Sequence, residues 1–248
     1  MMKQSFFINI LGVFVALILF LLINLVVIKY NGKSVSVPQI PRGPQQFGSG
    51  PALTYVVMGD STAISQGSDY NEGYAIASAQ YLAKKYRVTL VNTGVSGAVS
   101  KDIAEKQLAE AKSYKPDIVL IAVGANDVTH FTSQKVINES IQKTVNSLKE
   151  SNSQVKIILT GSAAMDTVDR FTWPAKQLAL LRVKLINKTF VELVERNSLI
   201  SAPIADKTRT AFKDDPTLFA QDKFHPNARG YELWKPVINN ALDQALKV

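Results

Sequence analysis

Asp222 and His225 stand three positions apart in the run Asp222-Lys223-Phe224-His225-Pro226. Within one turn, a carboxylate at that spacing accepts from one imidazole nitrogen and leaves the other to face a hydroxyl. The chain has two histidines, so the pairing singles out His225 for acid–base chemistry, and Pro226 suits the start of a helix that would stiffen the turn. A serine partner is offered by Gly59-Asp60-Ser61-Thr62, directly after the apolar run Leu53–Met58. At a tight strand-to-helix turn a serine presents its hydroxyl to the cleft, with unbonded backbone N–H groups close by. Read alone, these are also ordinary turn residues.

Two more segments begin where predicted strands end. In Asn92-Thr93-Gly94-Val95-Ser96-Gly97 the two glycines let the backbone approach a ligand, though a plain glycine-rich loop has the same composition. In Gly124-Ala125-Asn126-Asp127, Asn126 either donates its amide N–H to developing negative charge or caps the next turn. Neither segment has the Gly-Lys-Ser/Thr of a phosphate loop or a G-x-G-x-x-G fingerprint, which counts against a nucleotide site.

Order and position make the combination specific, and here the chain resembles the SGNH, or GDSL-type, serine hydrolases. The resemblance runs from about Thr54 to Trp234 through the four segments. It implies Ser61 as nucleophile, His225 as base and Asp222 as the acid that orients it. It further implies an oxyanion hole from the backbone N–H groups of Ser61 and Gly97 and the side chain of Asn126. It implies cleavage of acyl esters or thioesters, with no metal or organic cofactor. His130, beyond Asp127, has no partner at triad spacing and reads as a pocket-rim or surface residue.

The elements that must position these groups alternate along residues 51–248. Leu53–Met58, Val88–Val91, Ile118–Val123 and Val155–Leu159 read as buried strands, with a fifth near Leu199–Ala202. Helical spacing is kept by Ile76, Ala79 and Leu82, and by Ile137, Ile141, Val145 and Leu148. It recurs in Leu178, Leu181, Leu185 and Ile186 continuing to Val194, and from Trp234 to Ala245. The pattern predicts an α/β domain with a five-stranded parallel sheet and helices on both faces, its ligand beyond the C-terminal strand ends. The resemblance makes this a three-layer α/β/α sandwich of the flavodoxin-like kind. Gly161–Trp173, with Met165, Arg170, Phe171 and Trp173, is a loop either lining the pocket or packing its own aromatics. Pro203–Gln221 reads as an irregular approach to the histidine turn.

Residues 1–50 are different in kind. After a short flank, 1–5, the stretch Phe6–Ile28 carries no charge and is long enough to cross a hydrocarbon core. It leads into Lys29-Tyr30-Asn31-Gly32-Lys33 with no small-residue cleavage site, so it reads as an uncleaved transmembrane anchor. The span begins close to the N-terminus, as export signals do, which places the domain outside the cytoplasm; the flanking charges do not decide orientation. Residues 29–50, rich in proline and glycine, read as a tether. The formal charge is +8, but Lys3, Lys29, Lys33 and Arg42 lie in residues 1–50 with no acid among them. The remaining surface is mildly basic with no basic stripe, which argues against a nucleic-acid partner. With no cysteine, disulfide scaffolds, thiolate metal sites and cysteine nucleophiles are excluded.

The reading is therefore a membrane-anchored serine esterase acting on a small-molecule, glycan or lipid acyl ester, such as O-acetyl groups of envelope glycans or lipid acyl chains. An O-acyltransferase using the same triad and a non-catalytic envelope-binding module are the alternatives. Oligomeric state leaves no mark in the sequence.

Overall fold

The structure, a computed structural model, describes residues 2–41 and 43–247, with side chains from Val13 onward; Met1, Arg42 and Val248 lie outside the described residues. The first element is a helix, α1 (Met2–Tyr30), so the apolar stretch and its polar flank form one continuous rod. Its window Val13–Tyr30 has a mean hydropathy of 2.7 and is not covered by the domain.

Six strands follow: β1 (Gln45–Phe47), β2 (Ala52–Gly59), β3 (Arg87–Asn92), β4 (Ile118–Ala122), β5 (Lys156–Leu159) and β6 (Ile200–Ser201). They make one sheet in the order β1-β3-β2-β4-β5-β6. The five parallel strands expected are present, and β4, buried at all five positions, shows why a strand covered on both faces reads as an unbroken apolar run. The sixth strand corrects the sequence reading. Gln45–Phe47, in the segment expected to be a tether, pairs antiparallel with β3. Edge pairing of three residues rests on backbone hydrogen bonds and leaves no hydrophobic period to read.

The helices are α2 (Tyr74–Leu82), α3 (Ser100–Asp102), α4 (Leu108–Ser113), α5 (Ala125–Thr129), α6 (Gln134–Ser151), α7 (Ala175–Asn197), α8 (Ile204–Asp214), α9 (Ala228–Glu232) and α10 (Lys235–Lys247). A π-helical turn, Ile103–Gln107, joins α3 to α4. One face of the sheet carries α2 and α10; α3, α4, α6 and α7 pack together as the other layer. α6 follows its pattern, burying Ile137, Ile141, Val145 and Leu148 and starting at Ser133, whose hydroxyl accepts from the Val136 N–H.

Two expectations change. Helix α7 exists, but it buries Ala179, Val183, Ile186, Phe190 and Leu193 and leaves Leu178, Leu181 and Leu185 exposed. Both sets keep a helical period, and the face that meets α5 and α6 is the one from Ala179 to Leu193. Pro203–Gln221 is not irregular: α8 and a 3-10 turn, Pro216–Leu218, occupy most of it.

Candidate active site

Strand β2 lies between β3 and β4, so chain direction across the sheet reverses on either side of it and a crevice opens beyond its C-terminal end. Ser61 sits there, two residues after β2 ends. Its turn is set by Asp60, whose Oδ1 accepts from the Thr62 N–H (2.9 Å) and hydroxyl (2.8 Å). The Ala63 N–H donates to the Asp60 carbonyl and the Gln66 N–H to that of Ser61. Among the described residues, no acceptor takes the Ser61 N–H. Burial pushes the Asp60 carboxyl up to about 6, against the opposing pull of the Thr62 bonds and the nearby His225.

The last turn of β2 is clamped from the side. Gly59 pairs with Ala122 of β4, and on its other edge its N–H donates to Gln107 Oε1 (2.9 Å) while its carbonyl accepts from Gln107 Nε2 (2.8 Å). A buried glutamine amide thus stands in for a strand partner at the N–H and shares the carbonyl with the Val95 N–H (3.1 Å). Sequence reasoning missed Gln107, because a side chain acting from a π-helical turn leaves no motif.

The histidine turn comes from the other end of the chain. His225 Nδ1 lies 2.6 Å from Asp222 Oδ2, and His225 Nε2 lies 2.9 Å from Ser61 Oγ. Asp222 Oδ1 accepts from the backbone N–H groups of Phe224 (3.0 Å) and His225 (3.1 Å), which fixes the carboxylate before the imidazole is considered. Burial alone would raise the Asp222 carboxyl, but the hydrogen bond and charge of His225 and the two backbone donors hold it below the usual range. The carbonyl of His225 accepts from the Ala220 N–H, and the Asn227 side chain caps α9 through the Gly230 N–H.

Of the expected oxyanion donors, Asn126 lines the same pocket as Ser61 and His225, with Nδ2 bonded to the Ala98 carbonyl (3.0 Å) and a second amide hydrogen to offer. Gly97 is exposed, at φ +80°, and no acceptor among the described residues takes its N–H. Asn92, at the start of that segment, braces the serine turn: its Nδ2 donates to the Ala63 carbonyl (2.8 Å) and its Oδ1 accepts from the Gly94 N–H (3.0 Å). Gly94 must be glycine, since a Cβ there would lie 2.8 Å from Ala63 Cβ. Asp127 faces away from the pocket, accepting from the Ser100 N–H and hydroxyl; burial raises its carboxyl. His130 is exposed.

The pocket beside Ser61 has an empty volume of about 480 Å³, including its mouth, and its wall is mostly apolar. Met165 and Val168, from the loop after β5, and Phe212 of α8 with Phe219 beyond it give it depth. Of the loop residues named from sequence, Met165 lines the pocket and Phe171 packs edge-on against Phe224 (6.0 Å). Arg170 and Trp173 instead turn toward α1. Among the described residues, no three His, Cys, Asp or Glu side chains gather to hold a metal ion.

A serine, imidazole and carboxylate in one hydrogen-bonded line, next to unbonded donors and an apolar pocket, form an arrangement suited to acyl transfer. Residues 57–233 match the model of the GDSL-like Lipase/Acylhydrolase family. The chain belongs to that family. A GDSL-like esterase of Mycobacterium tuberculosis is 24% identical over 230 residues, covering 86% of this chain and 72% of its own. The fold is shared with the crystal structure of TesA (TM-score 0.65, 17% identity, 77% of this chain and 99% of that one). It is shared also with the psychrotrophic esterase EstA from Pseudoalteromonas sp. (TM-score 0.59, 19% identity, 79% and 99%). This GDSL-family chain is thus an enzyme that hydrolyses ester bonds, on a mixed six-stranded sheet that is mostly parallel.

Proposed function

We propose that this GDSL hydrolase is a membrane-anchored serine esterase that cleaves acyl esters through Ser61, His225 and Asp222. The observation that carries the reading is the unbroken line Asp222–His225–Ser61, with contacts of 2.6 and 2.9 Å, at the rim of the apolar pocket. His225 Nε2 accepts the Ser61 proton as Oγ attacks the ester carbonyl. Asp222 keeps the other imidazole proton on Nδ1 and stabilises the imidazolium. The carbonyl oxygen, now an anion, is met by the N–H groups of Ser61 and Gly97 and the amide of Asn126. As the tetrahedral species collapses, His225 returns the proton to the leaving alcohol and the acyl group remains on Ser61. Water then repeats the sequence, giving a free acid and free enzyme.

The pocket's apolar wall suits the acyl part of an ester, the alcohol part lying outside. O-acetyl groups of envelope glycans and lipid acyl chains both present such esters. In this reading residues 6–28 anchor the chain, residues 51–248 carry the hydrolase and the domain lies outside the cytoplasm. Support for the anchor is the apolar, uncovered helix α1.

The test is hydrolysis of p-nitrophenyl esters from acetyl to long-chain acyl by the full chain, beside Ser61→Ala, with a phosphonate ester as covalent probe. Turnover and labelling lost together in Ser61→Ala establish the nucleophile. Unchanged turnover in that variant removes it. Protection of the domain from protease added outside spheroplasts, with digestion after lysis, would remove the extracytoplasmic placement.

A further inference from the structure

The segment between β5 and α7 touches the triad on one side and α1 on the other. The Arg170 N–H donates to the Lys223 carbonyl (2.8 Å), and Phe224, whose ring packs edge-on against Phe171, lies next to His225 (5.0 Å between rings). Toward α1, the Arg170 side chain donates to the carbonyls of Ile28 (2.9 Å) and Lys29 (3.1 Å), groups a helix C-terminus leaves unpaired. Asn31 Nδ2 donates to the carbonyls of Asp169 and Arg170, and Lys223 Nζ donates to Asn31 Oδ1. The Lys33 N–H donates to the Gln221 carbonyl (2.9 Å). Gly32, at φ +118°, is pressed so closely on the Asp222 carbonyl that a Cβ would overlap it. The start of the expected tether is therefore seated on the histidine turn.

Contacts continue down the helix. The Thr172 hydroxyl donates to Asn24 Oδ1 (2.9 Å), and Trp173 packs on Phe20 with ring centroids 5.9 Å apart. Phe20 lies ten residues before the end of α1, about 15 Å along its axis, within the apolar part of the rod. Trp173 is nonetheless 66% exposed. Helix α7 begins two residues later and presents Leu178, Leu181 and Leu185, 42–64% exposed, as a stripe at i, i+3, i+7. Between Ala175 and Lys188 that helix carries Lys176, Arg182, Lys184 and Lys188 and no acid.

We propose that Trp173 and the exposed leucine stripe of α7 are a bilayer-docking surface, whose partner is an anionic lipid surface and which holds the mouth of the pocket at the lipid headgroups. The proposal rests on α1 being a membrane span. If α1 crosses the bilayer, the contact of Trp173 with Phe20 carries the indole below the headgroups into the acyl-chain region, where the exposed leucines beside it are apolar enough to follow. Lys176, Lys184 and Lys188 of α7 match anionic headgroups, each contributing about 1 kcal/mol near such a surface, while Arg182 is held by the carbonyls of Asp127 and Thr132. Val168, five residues before Trp173, already lines the pocket, so an ester held in the bilayer has a short path to Ser61. The substrates this geometry favours are membrane-resident acyl esters.

The chain has two tryptophans, and Trp234 is buried, so Trp173 is an addressable probe. The full chain is placed in phosphatidylcholine vesicles with about a quarter phosphatidylglycerol, containing phosphatidylcholine brominated part-way down its acyl chains. The expected result is at least about a twofold fall in the Trp173 contribution, obtained by subtracting the emission of Trp173→Phe, in which Trp234 stays unquenched. Retention of the protein after an alkaline carbonate wash, with Trp173 unquenched, would overturn the docking and leave the anchor standing. Extraction by carbonate would overturn the anchor and the docking with it.

Discussion

Asp222→Asn tests the role of the carboxylate while sparing the turn that holds it. In the native chain Oδ1 accepts from two backbone N–H groups and Oδ2 from His225 Nδ1 at 2.6 Å. An asparagine that keeps its oxygen on the backbone donors must present its NH₂ to Nδ1. Nδ1 then becomes an acceptor, the ring proton moves to Nε2, and Nε2 points a hydrogen at Ser61 Oγ across the 2.9 Å contact instead of a lone pair. The base is lost with the geometry intact. In a serine protease triad the equivalent change lowers kcat by about 10⁴, corresponding to about 5 kcal/mol at the transition state. The two backbone bonds, each contributing about 1 kcal/mol, survive, so the melting temperature should move little. Asp222→Ala loses them as well and should be both inactive and measurably less stable. The assay is kcat for a p-nitrophenyl ester with a thermal melt of each variant. Asp222→Asn retaining more than about a tenth of wild-type kcat at an unchanged melting temperature would refute the assignment of Asp222 as the orienting acid.

Gln107→Ala leaves the buried Gly59 N–H without a partner while the Gly59 carbonyl keeps the Val95 N–H, so it should cost about 1–3 kcal/mol in urea unfolding and lower kcat by loosening the Ser61 turn. For Asp60, burial raises the folded-state pKa from the ordinary 3.8 to about 6, so the native state binds the proton more tightly than the unfolded state. Its contribution to stability is full below pH 3.8, declines as pH rises toward 6, and is absent above, a change of about 3 kcal/mol. Asp60→Asn should therefore gain stability relative to wild type between pH 4 and pH 7.5, read from paired melts; a constant difference would remove the burial argument. Met165→Ala, at the pocket wall, should shift the preferred p-nitrophenyl ester toward longer acyl chains at a cost of about 2–5 kcal/mol in stability.

The sequence by itself determined the frame and pointed to the residues proposed for the chemistry. Ser61, Asn126, Asp222 and His225 stood out as candidates because each sits in a short segment, three of which begin where an apolar run ends, and the order of the segments resembles the family's. The parallel strands were legible because burial on both faces forces continuous apolar runs, as in Ile118–Ala122. The tertiary structure alone decided what depends on partners far along the chain. It placed His225 against Ser61. It recruited Gln45–Phe47 to the sheet edge through backbone bonds that no side-chain period records. It set Gln107 on Gly59 from a π-helical turn. It chose between two helical faces of α7 of equal periodicity, burying the face that runs from Ala179 to Leu193 and leaving Leu178, Leu181 and Leu185 outside. Periodicity states that a face exists; which face is buried depends on the surface that meets it.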